Sequence, residues 1–166
     1  MIREATHEDV PQLIELGAAM HKESNYAPLI YNAKRATNFV HWLIDQEDGL
    51  VLVGERDNEV IGFIAAFAGV TWFGDGLQKT VSDMGLYVRP ENRRGATAIL
   101  LVQGYIDWGR RQGYAQIRAG TNAGAAGQAA NAIYEHLGLA RSGYCFVANN
   151  IPAHVGQSFD GHLTVQ

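Results

Sequence analysis

The chain has 166 residues, 47% of them hydrophobic and 18% charged, with a formal net charge of −4. That length suits one domain with a core of its own, and the composition is that of a globular protein. No apolar run nears the ~20 residues that span a bilayer, so no membrane partner is expected. The negative net charge argues against a nucleic-acid surface, and the single cysteine excludes an intramolecular disulfide.

Residues 1–6 begin as a short strand without a signal-peptide pattern, which predicts a cytoplasmic protein. Thr6-His7-Glu8-Asp9 reads as a capping segment for a first helix that turns Val10, Leu13, Ile14 and Gly17 inward. A polar and aromatic loop follows over residues 21–28. The spacing then predicts a second helix over 32–46, with Ala36, Phe39, Val40, Leu43 and Ile44 inward. Residues 50–56 and 59–68 are apolar strands around the hairpin turn Asp57-Asn58, continuous enough to be covered on both faces. A loop over 69–78 carries Trp72, Phe73 and Asp75.

The strand of residues 84–88 stops at Pro90, which cannot donate to a ladder and biases Arg89 toward extended geometry. In the segment leading to it, residues 80–88, Asp83 is the only acid. Strict alternation sets Asp83 on the side of Gly85 and Tyr87, opposite Met84, Leu86 and Val88. Two arginines and small residues come next, Arg93-Arg94-Gly95-Ala96-Thr97-Ala98, opening a helix over 96–112. Its apolar face is Ala98, Leu101, Val102, Tyr105, Ile106 and Gly109. Unpaired N–H groups and the positive end of that helix suit phosphate, and the guanidinium groups add charge-assisted donors. Gly113 ends the helix, and residues 115–119 form a strand that must run parallel to the earlier one. After a loop over 121–127, a last helix over 128–137 carries Ala129, Ala130, Ile133, Tyr134 and Leu137. A strand over 144–147 follows, with Cys145 read as a small buried residue. The six histidines show no metal spacing, so no metal is assigned; those of the tail, His154 and His162, are read as exposed.

Val88-Arg89-Pro90-Glu91-Asn92-Arg93, the small-residue turn, and Ile133-Tyr134-Glu135-His136-Leu137-Gly138-Leu139 together resemble the GCN5-related N-acetyltransferase (GNAT) superfamily. The chain departs from the family pattern at Ala96, where glycine is usual, and at Leu139, where phenylalanine is usual. The resemblance covers about residues 1–147 and implies an α/β (mixed α+β) fold. That fold is a central mixed, mostly antiparallel sheet with one parallel βαβ unit and helices on both faces. It leaves a C-terminal tail, 148–166, without a role.

Acetyl-CoA is the implied cofactor, with a primary amine of a small molecule or peptide as acceptor; the resemblance leaves a homodimer open. By the same resemblance, Arg93 to Ala98 hold the diphosphate and the backbone of Val88 pairs with the pantetheine arm. Tyr134 corresponds to the family's tyrosine near the cofactor sulfur, and a carboxylate on the preceding strand often serves as base. From the residues alone, Tyr134 reads equally as a general acid or as a helix-face aromatic. Asp83 reads equally as a base or as a solvated strand residue, with His21 and His41 weaker candidates. Asn131, one turn before Tyr134, either bonds the cofactor arm or faces solvent. Glu23, Tyr26, Tyr31, Trp72, Phe73 and Asp75 are the candidates for a cationic acceptor, through ion pairing and cation–π contact. An acyl-CoA-binding or regulatory domain without catalysis is the alternative. A mononucleotide-binding protein is disfavoured, because no Lys-Ser or Lys-Thr follows a glycine loop and no dinucleotide glycine fingerprint occurs.

Overall fold

A computed structural model describes residues 1–121 and 127–143. The strand expected over 144–147, Cys145, the tail and residues 122–126 of the expected loop lie outside these described residues. Five strands form one sheet in the order β1 (Ile2–Glu4), β2 (Gly49–Arg56), β3 (Glu59–Val70), β4 (Lys79–Val88), β5 (Gln116–Arg118). The first four run antiparallel to their neighbours, and β4 and β5 are parallel. Asp57 and Asn58 turn the β2–β3 hairpin with positive φ at both positions, the conformation a two-residue turn of this twist requires.

Helices cover both faces. On one side α1 (Val10–Glu23) and α2 (Ala33–Ile44) bury Leu13, Leu16 and Leu43 against Val51, Val53, Val60, Phe63 and Tyr87. On the other, α3 (Thr97–Arg111) and α4 (Gly127–His136) pack Leu101, Val102, Tyr105, Ile106 and Tyr134 against Leu50, Leu52, Ile64, Val81 and Val88. The two clusters take alternate residues of β2 and β3, which is why those strands read as unbroken apolar runs.

Two helix faces differ from expectation. In α1 the buried residues are Val10, Leu13 and Leu16, while Ile14 is half-buried and Gly17 faces Tyr31, whose hydroxyl donates to the Ile14 carbonyl at 3.0 Å. In α2 Phe39 is exposed; its ring lies against Trp42, which in turn rests on Phe67 of β3.

β4 is longer than residues 84–88 and carries a β-bulge. Ala65 pairs with Gly85 but Ala66 pairs with Asp83, so Met84 is an extra residue with no partner on β3. The bulge reverses the alternation beyond it. Asp83 therefore lies on the α3/α4 side with Val81, Leu86 and Val88, not with Gly85 and Tyr87 as strict alternation required. The strand pairing with β5 also stops here, its last pair being Ser82 and Arg118.

Candidate active site

Past that last pair the edge of β4 is open among the described residues. The Arg89 N–H bonds to Ile61 of β3, and in an antiparallel ladder bonded pairs alternate. The N–H and C=O groups of Val88 and Leu86 therefore point away from β3, toward the open side.

Two tyrosines stitch β4 to β5 at the apex of the split. The Tyr105 hydroxyl lies 2.6 Å from the Arg118 carbonyl and 3.3 Å from that of Val81. One step further, the Tyr134 hydroxyl is 3.3 Å from Asp83 Oδ2 and 3.5 Å from the Gly120 carbonyl, while the Gly120 N–H donates to Asp83 Oδ1 at 2.9 Å. A phenol has one proton to give, and the shorter contact to a carboxylate is the stronger bond. Tyr134 is 6% exposed.

Burial dominates the electrostatics of this pair. It pushes the Asp83 carboxyl up to about 6 against the opposing bonds from Gly120 and Tyr134. It also drives the Tyr134 phenol well above its ordinary value, with the Asp83 carboxylate adding to the rise. At neutral pH the acid is ionised and the phenol holds its proton firmly.

At the far end of the open edge lies the turn into α3. A 3₁₀ segment, Pro90–Asn92, brings the chain round, and Ala96 precedes α3 with no side-chain cap. The N–H of Arg93 closes on Pro90 and that of Gly95 on Asn92, and the first bond of α3 is Leu100 to Ala96. The N–H groups of Arg94, Ala96, Thr97 and Ala98 have no partner among the described residues. The Arg94 side chain has none either. Open amides, a guanidinium and the positive end of a helix are the donor set a diphosphate needs.

Arg93 is placed differently from Arg94. Its Nε donates to the Val88 carbonyl at 2.8 Å and its Nη2 to Glu23 Oε2 at 2.6 Å, with its charge 5.2 Å from the centre of the Tyr87 ring. Tyr87, absent from the expected site, donates to Glu23 Oε1 at 2.8 Å. Burial pushes the Glu23 carboxyl up, but the bonds from Arg93 and Tyr87 outweigh it and hold the group below its ordinary range. Asn131 accepts at Oδ1 from the Thr121 hydroxyl at 3.2 Å, so half of its amide is engaged by the chain itself.

The acceptor candidates are not brought to one place. Glu23 ends α1 beside the Val88 end of β4, and Tyr26 follows in the next turn. Trp72, Phe73 and Asp75 belong to the β3–β4 connection at the Lys79 end, and the 10 residues of β4 put that end roughly 30 Å from Val88. Trp72 and Phe73 pack edge to face in the open, and Asp75 accepts from the N–H groups of Leu77 and Gln78, capping its own turn. A cleft of about 560 Å³ lies at this end too, between Asp48, Lys79 and Tyr114, but Asp48 is already bonded to the other two. No group of His, Cys, Asp and Glu among the described residues is arranged to hold a metal ion.

A family model described as the acetyltransferase (GNAT) family matches residues 17–139. Comparison with curated proteins gives no match. Among solved structures, the chain is similar to an aminoglycoside antibiotic 6'-N-acetyltransferase from Acinetobacter haemolyticus, with 17% identity, TM-score 0.67, and coverage of 91% of this chain and 99% of that one. It is also similar to an aminoglycoside N-acetyltransferase in complex with CoA, at 15% identity and TM-score 0.72 over 90% and 93% of the two chains. A transcriptional regulator from Bacillus halodurans shares the fold at 17% identity and TM-score 0.72, over 90% and 98%. At these identities the likeness is one of fold. No helix among the described residues is long and apolar enough to cross a membrane.

Proposed function

The chain belongs to the acetyltransferase (GNAT) family, and from that premise we propose that it transfers an acetyl group from acetyl-CoA directly to a primary amine of a small molecule. One observation carries the reading: an open strand edge whose apex is the Asp83–Tyr134 pair and whose rim is a set of unpartnered amides. The donor set fits the cofactor. Arg94 and the N–H groups of Ala96, Thr97 and Ala98 would hold the diphosphate, and the outward backbone groups of Leu86 with the Val88 N–H would take the arm as an added strand.

When bound, the thioester supplies an activated acetyl group and a thiolate leaving group. The chain supplies orientation and proton handling. A carboxylate with a pKa of about 6 is ionised at neutral pH and able to accept a proton at Oδ2 or Oδ1. It could not deprotonate a free alkylammonium of pKa ~10.4 to any extent, so the acceptor attacks as its neutral fraction, its first proton already lost to water; once bonded to the acyl carbon the nitrogen is far more acidic and gives its second proton to Asp83. Once Asp83 has taken up a proton it can donate to the Tyr134 oxygen, and the phenol O–H, until then bonded to Asp83, is free to donate to the sulfur. Because its pKa lies above that of a thiol at ~8.5, it stabilises negative charge on sulfur without surrendering its own proton outright. A proton taken up by Asp83 has a path out through the Tyr134 hydroxyl, so the pair works as one relay.

Small-molecule amines are the favoured class, because the neighbours of this fold include aminoglycoside acetyltransferases. The test is thiol release from acetyl-CoA with a panel of polyamines, aminoglycosides, amino acids and peptides, beside calorimetric titration with CoA. Turnover with one amine class supports the reading. Tight CoA binding with no thiol release from any amine would instead make this an acyl-CoA-binding domain, and no CoA binding would end both.

A further inference from the structure

The geometry points to Glu23 and Tyr87 as positioning residues that act on the thioester arm through Arg93, an inference that rests on the acetyl-CoA reading above. Arg93 begins in the cofactor turn but its side chain leaves it. The Nε bond closes the Val88 carbonyl, one of the outward groups on the open edge of β4, at 2.8 Å. What remains open there is the Val88 N–H and the two groups of Leu86. Outward-facing residues recur two apart, about 6.6 Å along the strand. An arm pairing with this edge is thus denied the outer register and held in the one that reaches Asp83 and Tyr134.

Arg93 keeps that position because two other residues hold it. Glu23, the last residue of α1, takes Nη2 on Oε2 at 2.6 Å. Its other oxygen is fixed by the Tyr87 hydroxyl at 2.8 Å, and the Tyr87 ring lies under the guanidinium. Both oxygens of Glu23 are engaged and its charge is neutralised, which is unlike a carboxylate waiting for a cationic acceptor. The side chains of Arg93 and Glu23 are 39% and 38% exposed, so the fold does not depend on the pair. Its contribution is to geometry.

Steady-state kinetics with acetyl-CoA and the best amine, and calorimetry with CoA, on Glu23→Gln, Tyr87→Phe, Arg93→Met and Arg93→Lys test this. Each variant should lose about fivefold in kcat, the rate equivalent of the ~1 kcal/mol ceiling for an exposed pair, with the amine KM within about twofold. Arg93→Lys should fall with Arg93→Met, because a point charge cannot bridge carbonyl and carboxylate at once. Glu23→Gln combined with Arg93→Met should be no slower than Arg93→Met alone. A raised amine KM at unchanged kcat in Glu23→Gln would make that residue an acceptor anchor and overturn the inference. So would wild-type kcat in all four variants, or tighter CoA binding by Arg93→Met, which would mean that Arg93 obstructs the edge. Absence of CoA binding by the wild type would be a different failure, that of the cofactor assignment itself.

Discussion

Replacing Asp83 with asparagine should make the protein more stable and less active, and the gain in stability should depend on pH. The carboxyl is raised from its ordinary 3.8 to about 6, mainly by burial. Below pH 3.8 the group is protonated in both states and its burial is no burden. As pH rises, the unfolded chain ionises first, and stability declines until the folded group also ionises near pH 6. A gap of about two pH units, at ~1.36 kcal/mol each, gives a deficit of up to ~3 kcal/mol above that pH. Asparagine has no such deficit. Its carbonyl can still accept from Gly120, and the Tyr134 hydroxyl can turn to the Gly120 carbonyl at 3.5 Å. For a chain of this length each kcal/mol moves Tm by roughly 2–4 °C, so Asp83→Asn should melt roughly 4–10 °C above wild type at pH 8 and alongside it at pH 4. Thermal unfolding by circular dichroism at pH 4, 6 and 8 measures this directly. A difference that is flat with pH, or a variant less stable at pH 8, would refute the buried ionised carboxylate. Loss of turnover in the same variant would mark Asp83 as a site where stability yields to function.

Asp9 should behave in the opposite sense: Arg3 grips it through both oxygens and lowers its carboxyl to about 2. Its stabilisation is complete well above its ordinary 3.8 and lost as pH falls through 2, so Asp9→Asn should cost ~2 kcal/mol in urea unfolding at pH 7 and roughly half as much at pH 3. Tyr134→Phe should lower kcat at least tenfold with CoA affinity within about twofold. It should also move the acidic limb of the pH–rate profile upward, because the lost bond is one that lowers Asp83; an unmoved limb would separate the two residues. Gly49→Ala should cost more than ~2 kcal/mol, since a Cβ there runs into the Leu43 carbonyl. Gly69→Ala, with nothing within 4 Å, should stay within ~0.5 kcal/mol in the same assay.

Much of the architecture could be read from local signals because local physics decides it. The hairpin at Asp57-Asn58, the end of α3 at Gly113 and of α4 at Gly138 are places where backbone conformation is dictated by a few adjacent residues, and all four take positive φ. The apolar face of α3 follows from helical spacing alone and packs as expected. Phe39 departs from the expected face because periodicity marks a stripe without saying how wide the partner surface is: its ring meets Trp42, and it is Trp42 that rests on Phe67. Arg93 and Arg94 are chemically identical neighbours in a turn. That Arg93 is drawn out of the turn depends on Glu23 and Tyr87, one of them 70 residues away, and no local pattern carries that. Trp72 and Asp75, like Glu23, have chemistry suited to a cation, yet the ladder puts them at the opposite end of β4 from Glu23.

The bulge is the feature on which the site turns, and β4 alone could not disclose it. Alternation within Ser82-Asp83-Met84-Gly85 is compatible with a regular strand; the extra residue exists only relative to Ala65 and Ala66 on β3. With a regular strand, Asp83 would share a face with Gly85, whose own surroundings are Met20 and Phe63, an apolar packing surface. Its carboxylate would there lack the Gly120 N–H, and Tyr134 would have no acid to meet. One inserted residue therefore carries Asp83 across the sheet, to the same level at which β5 leaves β4 after Ser82 and Arg118. The pairing of an acid with a phenol and the opening of the strand edge coincide at one point of the fold, and that coincidence is what the proposed transfer from a strand-like arm to an amine would use.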